Sequence, residues 1–263
     1  MAASPPTLAH IDLSAFLSGH VFGFILLLSR IGSVMMLMPG IGDTYVPPNI
    51  RLTFALILCA LLLGPLMPLL PALPPAPGDI ARLIVHEVAI GFFFGTLLRL
   101  IMSALDAAGS IIGLETGLSN ATLLNPAQAT QSSLPSAFLS VAGLAMIFCT
   151  GLDRLLIQAT VALYNAFPPT APLMPGDMAQ AVINIANRSF VVGVEFAAPF
   201  LIMGLLIYAG FGVLQRLMPQ VQIFMVLMPL EIWGGLMLFS LTVAGILTLW
   251  MQFFNQTLDS FFH

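Results

Sequence analysis

The first residues that could do chemistry are His86-Glu87, the opening half of HExxH, in which two histidines one helical turn apart hold zinc and the glutamate acts as general base. Position 90 is isoleucine, so the second ligand is missing. Gly40-Ile41-Gly42-Asp43 matches the GxGD pattern of intramembrane aspartyl proteases. Those enzymes need a second aspartate facing the first, and this aspartate sits at a proline break with no YD partner in the sequence. No GxSxG nucleophile elbow and no GxxxxGK[ST] phosphate loop occurs. All seven basic residues are arginine, and the absence of lysine excludes a Walker-type ATPase. Cys59 and Cys149 lie far apart in apolar runs and read as small core residues rather than a disulfide or metal pair. No catalytic, metal-binding or cofactor-binding residue emerges, and the expectation is a protein that is not an enzyme.

Ionisable residues inside apolar stretches are functional suspects of another kind. Arg99 and Asp106 lie seven apart in one stretch, and Arg188 and Glu195 repeat that spacing in another. Residues seven apart share a helix face but stand about 10 Å apart, too far to pair directly. Each is therefore expected to find a partner elsewhere, in this chain or another. Structural pairing carries more weight than a proton relay.

The elements that position these residues are membrane helices. Of 263 residues, 59% are apolar and 7% charged, against roughly a quarter charged in soluble domains. So few charges cannot cover a soluble particle of this size, and the remaining surface must face lipid or other apolar chains. The net charge of −4 and scattered arginines give no footprint for nucleic acid. Nor do they give a polybasic segment for lipid headgroups or a firm membrane orientation. The first arginine is Arg30, so the positive start of a cleavable signal is missing and the mature chain is expected to begin near Met1.

A helix needs about 20 apolar residues to cross a bilayer. Six stretches qualify, at roughly 13–38, 50–70, 80–106, 136–164, 179–216 and 223–256. Proline marks most gaps: Pro39, Pro47-Pro48, six prolines between Pro65 and Gly78, and Pro168, Pro169, Pro172 and Pro175. The interval 107–135 is different, being long, small-residue-rich and barely charged. Irregular backbone at membrane depth survives only against protein or a water-filled cavity, so the interval reads as an external loop or as a re-entrant element, and its apolar residues Ile111, Ile112, Leu114, Leu118, Leu123 and Leu124 give the second more weight. Stretch 179–216 would be about 57 Å long as a helix, with Pro199 expected to kink it. GxxxG spacing recurs at Gly19/Gly23, Gly91/Gly95 and Gly109/Gly113/Gly117. It allows close helix approach within the chain or, in the odd interval, backbone freedom. Methionines cluster at Met35, Met36 and Met38 and at Met218, Met225 and Met228; they suit a compliant surface or plain core filling. The expected fold is an all-α integral membrane protein: about six long hydrophobic helices, several bent or forming hairpins, with a small-residue-rich re-entrant loop, in one domain over 1–263.

The order of several features resembles the FliR/SctT family of type III export-gate proteins. The features are Pro39-Gly40 leading to Val46-Pro47 and Arg51-Leu52, then Gly113-Leu114-Glu115-Thr116-Gly117-Leu118-Ser119 with Asn125-Pro126, then Phe148 to Pro168, then Arg216-Leu217-Met218-Pro219-Gln220 with Phe224. The likeness covers essentially the whole chain. The sequence departs from the family pattern at Glu115, where glutamine is usual, at Leu152-Asp153 for a His-His, at Gln222 for asparagine, and at Glu231, where lysine is frequent. Contacts that depend on those charges stay open.

The resemblance implies a subunit of an export channel built with FliP-type and FliQ-type chains, assisted by FlhB-type and FlhA-type partners. It would sit in the bacterial inner membrane at the flagellar basal body, with unfolded flagellar proteins as substrate and no cofactor. The segment holding Gly109, Ile111, Ile112, Gly113, Leu114, Glu115, Gly117 and Leu118 would plug the closed pore. Arg99, Asp106, Arg188, Glu195, Arg216, Pro219 and Gln220 would serve assembly or buried-charge roles. A bulky charged residue at Gly113 or Gly117 is expected to raise ion leakage. The runner-up is the same role in a virulence injectisome. From another class comes a small-solute secondary transporter, for which only the echo of Leu37-Met38-Pro39-Gly40 in Leu173-Met174-Pro175-Gly176 speaks.

Overall fold

The computed structural model describes residues 13–119, 133–217 and 223–262. Its helices are α1 (Leu13–Leu37), α2 (Pro48–Leu66, continued by a 3-10 turn at Met67–Leu69), α3 (Pro77–Glu115) and α4 (Leu134–Cys149). They continue with α5 (Leu152–Ala166), α6 (Pro175–Leu217) and α7 (Ile223–Phe262). Proline opens α2, α3 and α6, where its missing N–H costs nothing and its fixed φ suits the first turn. Among the described residues five helices are long and apolar enough to cross a membrane, and α4 and α5, bent by 78° at their junction, reach that length and apolarity together, the form of a broken span or a re-entrant loop. The expected all-α membrane architecture with about six spans stands. At 43 and 40 residues, α6 and α7 would be about 65 and 60 Å long, roughly twice the bilayer core.

Two differences from the sequence reading bear on the site. First, α3 does not stop at 106 but continues through Glu115. Residues 107–115 are mostly alanine, glycine and isoleucine; alanine favours helix, and the glycines are held by packing. Second, the run 136–164 is not one straight span. Gly151, at φ +77°, turns the chain between α4 and α5. A left-handed glycine is a usual way to end a helix.

The chain forms two compact units, residues 1–95 with 160–174, and residues 96–159 with 175–263. In the first, Leu26, Leu27, Ile31, Ile90 and Phe94 form a buried core. The Gly91/Gly95 pair lets α3 meet α1. A Cβ on Gly91 would lie 2.5 Å from the Arg30 carbonyl oxygen, and one on Gly95 would lie 2.6 Å from the Leu37 Cβ. This GxxxG pair thus serves packing within the chain.

In the second unit Trp250 is fully buried, and its indole N–H donates to the Ile101 carbonyl at 3.1 Å. Phe200, Phe254, Leu105 and Ala108 complete this core. A Cβ on Gly193 of α6 would meet the Ala104 carbonyl oxygen at 2.9 Å, so α6 lies close on the small residues of α3. Outward-facing Leu52, Ile57 and Leu61 on α2, Leu205 and Leu206 on α6, and Trp233 and Leu241 on α7 are exposed. Such apolar faces belong against lipid or other apolar chains.

Candidate functional site

The last turns of α3 are fastened on three sides. Toward α4, a Cβ on Gly109 would collide with the Ser136 Cα, and one on Gly113 would lie 2.7 Å from the Ser133 Cβ. Ser133 caps α4, its hydroxyl accepting from the Ser136 N–H and donating to the Gly109 carbonyl at 2.9 Å. Toward α6, a Cβ on Gly204 would run into the Glu115 carboxylate, and toward α7 one on Gly235 would run into Thr116. The helix then stops at Gly117, whose φ of +68° places it in the left-handed region. Of the three glycines at 109, 113 and 117, two are therefore packing positions inside a helix and only the third supplies a special backbone conformation. Ile112 is buried, Ile111 and Leu118 are half-buried, and Leu114 is 66% exposed. Residues 120–132, including Asn125-Pro126, lie outside the described residues.

The sequence-selected charges are placed as follows. Arg99, Asp106, Arg188, Glu195 and Arg216 are all exposed on their helices. The Asp106 carboxylate accepts from Ser136 Oγ at 3.3 Å and from Ser140 Oγ, so it ties α3 to α4. Arg188 lies over the Phe253 ring, 5.4 Å from its centroid, joining α6 to α7 by a cation–π contact. Pro219 and Gln220 lie outside the described residues.

A fully buried ion pair among the described residues joins none of these charges. In the first unit Arg30 of α1 and Glu87 of α3 are both 0% exposed. Arg30 Nε donates to Glu87 Oε2 at 2.7 Å and Nη2 to Oε1 at 2.8 Å, a two-pronged pair. The guanidinium also donates to the carbonyls of Leu163 (3.0 Å) and Phe167 (2.9 Å) at the end of α5 and stacks over Tyr164 at 4.0 Å. A cation at a helix C-terminus is favourable. The signal was present, one ionisable residue in each of two apolar runs, but the partners are 57 positions apart. Beside the pair, His86 Nε2 bonds the Ala171 carbonyl at 2.8 Å, so the half-motif His86-Glu87 serves structure. Asp43 does likewise: its carboxylate accepts from the Gly40 N–H at 2.8 Å and locks the turn after α1.

Glu231, where the sequence departs from the family pattern, is 3% exposed with Oε1 unpartnered among the described residues. It faces Glu115 and Tyr208, gathering three polar side chains at the end of α3. Among the described residues no cluster of metal-ligating side chains is present.

These features define a multi-span helical membrane protein whose polar groups fasten helices to one another. Residues 21–257 match the family described as bacterial export proteins, family 1. The chain is 38% identical to the flagellar biosynthetic protein FliR of Caulobacter vibrioides, over 92% of this chain and 96% of that protein. It is 29% identical to FliR of Aquifex aeolicus over 84% of this chain and 86% of that one. It also matches the Yop proteins translocation protein T of Yersinia pestis, at 29% identity over 57% and 58% of the two chains. The chain belongs to this bacterial export family, the one the sequence motifs resembled, and is a membrane component of flagellar type III protein export.

Proposed function

We propose that this chain is a gate subunit that helps form and close the channel through which unfolded flagellar proteins leave the cell. In this reading it sits in the bacterial inner membrane with FliP-type and FliQ-type channel subunits, next to FlhB-type and FlhA-type export proteins. The role is physical rather than catalytic. The observation that carries it is the end of α3: one side is fixed by glycine contacts to α4, α6 and α7, while Leu114 projects outward. A segment anchored behind and apolar in front is what sealing a pore against ions requires.

The fixed side changes how the closing role is best tested. A side chain at Gly113 meets Ser133, and one at Gly117 meets a left-handed backbone, so leakage in either variant would have a packing cause as well. Leu114→Asp disturbs neither. It is expected to leave the protein assembled and to raise ion leakage across the membrane several-fold, read as loss of membrane potential in cells expressing the gate. Wild-type leakage from a normally assembled Leu114→Asp gate would end the plug assignment. Affinity purification of the tagged chain from native membranes tests the assembly. Recovery with FliP-type and FliQ-type chains is expected, and recovery alone would count against a gate subunit. The Yersinia match covers only 57% of this chain, and the co-purifying chains are expected to be flagellar.

A further inference from the structure

In the second unit the end of α3 is seated in gaps left by glycine. The Glu115 carboxylate fills the space that a Cβ on Gly204 of α6 would take, and Thr116 does the same at Gly235 of α7. Tyr208 and Glu231 each lie four residues from one of those glycines, on the same helix faces. Both accordingly face Glu115. Glu231 is 3% exposed, and its Oε1 has no hydrogen-bond partner among the described residues. All seven arginines are described residues, and none forms an ion pair with Glu115 or Glu231. Residues 120–132 and 218–222, which follow α3 and α6 in the chain, contain no histidine, lysine or arginine. The Tyr208 hydroxyl is placed to donate to the Glu231 carboxylate, but it carries no positive charge. The closed seat thus holds two carboxylates together, one of them covered, with no cation of this chain paired to either.

We propose that this carboxylate pair is a built-in release, which sets the closed seat of α3 near its opening point so that the end of the helix lifts when a substrate enters. The inference rests on the gate reading above. A carboxylate taken out of water without a cation costs free energy, and a second carboxylate beside it adds to that cost. Lifting the turn that carries Glu115 and Thr116 parts the two charges and uncovers Glu231 to water. The cost therefore belongs to the closed state alone. Glycine contacts have the opposite bias, because they exist only while the seat is closed. Packing closes the seat and charge opposes it, so a small push from an entering chain suffices to shift the balance.

The test combines thermal unfolding of the purified chain in detergent at neutral pH with export of flagellar subunits from cells carrying the same variants. Glu231→Gln and Glu115→Gln keep the shape of the side chain and remove its charge. Each is expected to raise the melting temperature by about 3 °C. Glu115 also stands at a helix C-terminus, where negative charge is unfavourable on its own account, so its single gain does not decide the matter. The double variant does: its gain should fall short of the sum of the two single gains, because one substitution already ends the repulsion. In cells, Glu231→Gln should slow export about fivefold, the population shift that matches such a gain in the closed state. Lower melting of either single variant, or additive gains in the double, overturns the proposal. So does a Glu231→Gln protein that melts higher but exports at the wild-type rate, since the pair would then act on a part that does not move. Leu114→Asp in the same cells keeps the two readings apart. Raised leakage there, with Glu231→Gln melting and exporting as the wild type, overturns the release and leaves the gate standing, whereas wild-type leakage there removes the gate reading and the release with it.

Discussion

Replacing Glu87 by glutamine should destabilise the protein by about 3–5 kcal/mol, the usual cost of removing one partner from a buried ion pair. The cost arises from what is left behind. Arg30 would remain 0% exposed with its charge facing an amide and two backbone carbonyls. Arg30→Leu should be as damaging, since it strands the Glu87 carboxylate and takes the donor from the Phe167 carbonyl. Arg30→Lys should fall between, because an ammonium cannot match the two-pronged geometry at 2.7 and 2.8 Å. The double variant Arg30→Met with Glu87→Leu should recover most of the loss, as neither charge is then stranded. It should not recover all of it. The Leu163 carbonyl keeps the Phe167 N–H at 2.8 Å, but the Phe167 carbonyl loses its Arg30 donor. Thermal unfolding of the purified chain in detergent measures the series. A Glu87→Gln protein melting with the wild type would show that the pair does not hold α1, α3 and the end of α5 together.

How much of this was legible depends on whether the determining signal is local. Span number follows from apolar run length, and the starts of α2, α3 and α6 follow from proline, so both could be read directly. The α4–α5 bend could not, because one glycine in an apolar run, Gly151, looks like any other until its φ is known. The continuation of α3 to Glu115 was obscured for a related reason. Alanine, glycine and serine read as loop when counted for apolarity, yet here they let α4 and α6 come close. The charged residues show the limit most clearly. A search along single spans, by spacing of seven, selected Arg99 with Asp106 and Arg188 with Glu195. Asp106 instead pairs with serines of α4, and Arg188 with an aromatic ring of α7. The strongest pair joins two spans 57 positions apart, a separation that leaves no periodic trace. Glu115 and Glu231 were noticed only as departures from a family pattern, and their facing one another is a property of the packed helices.

Gly109→Val should prevent α3 and α4 from closing and should lower yield and melting temperature more than any other glycine substitution in the second unit. The reason is what the new Cβ meets. At Gly143 the obstacle is a side chain, Leu105, which can change rotamer. At Gly109 it is backbone: the Cα and N–H of Ser136, with the Pro135 carbonyl carbon at 2.9 Å. Backbone can yield only if the first turn of α4 moves, and that turn is tied down by the Ser133 hydroxyl, bonded to the Ser136 N–H and the Gly109 carbonyl. Moving it also loosens Ser136 and Ser140 from Asp106. Overpacking a well-filled site costs about 1–3 kcal/mol, and valine should exceed the upper figure because hydrogen bonds go with the contact. Gly64→Ala is the control: a Cβ there meets nothing within 4 Å, and replacing glycine inside a helix should stabilise by about 0.8–1 kcal/mol. If Gly109→Val melts with the wild type, α3 and α4 do not meet backbone to backbone. If it melts early as expected, leakage caused by glycine substitutions near the end of α3 reports helix packing, and only an outward position such as Leu114 reports the seal itself.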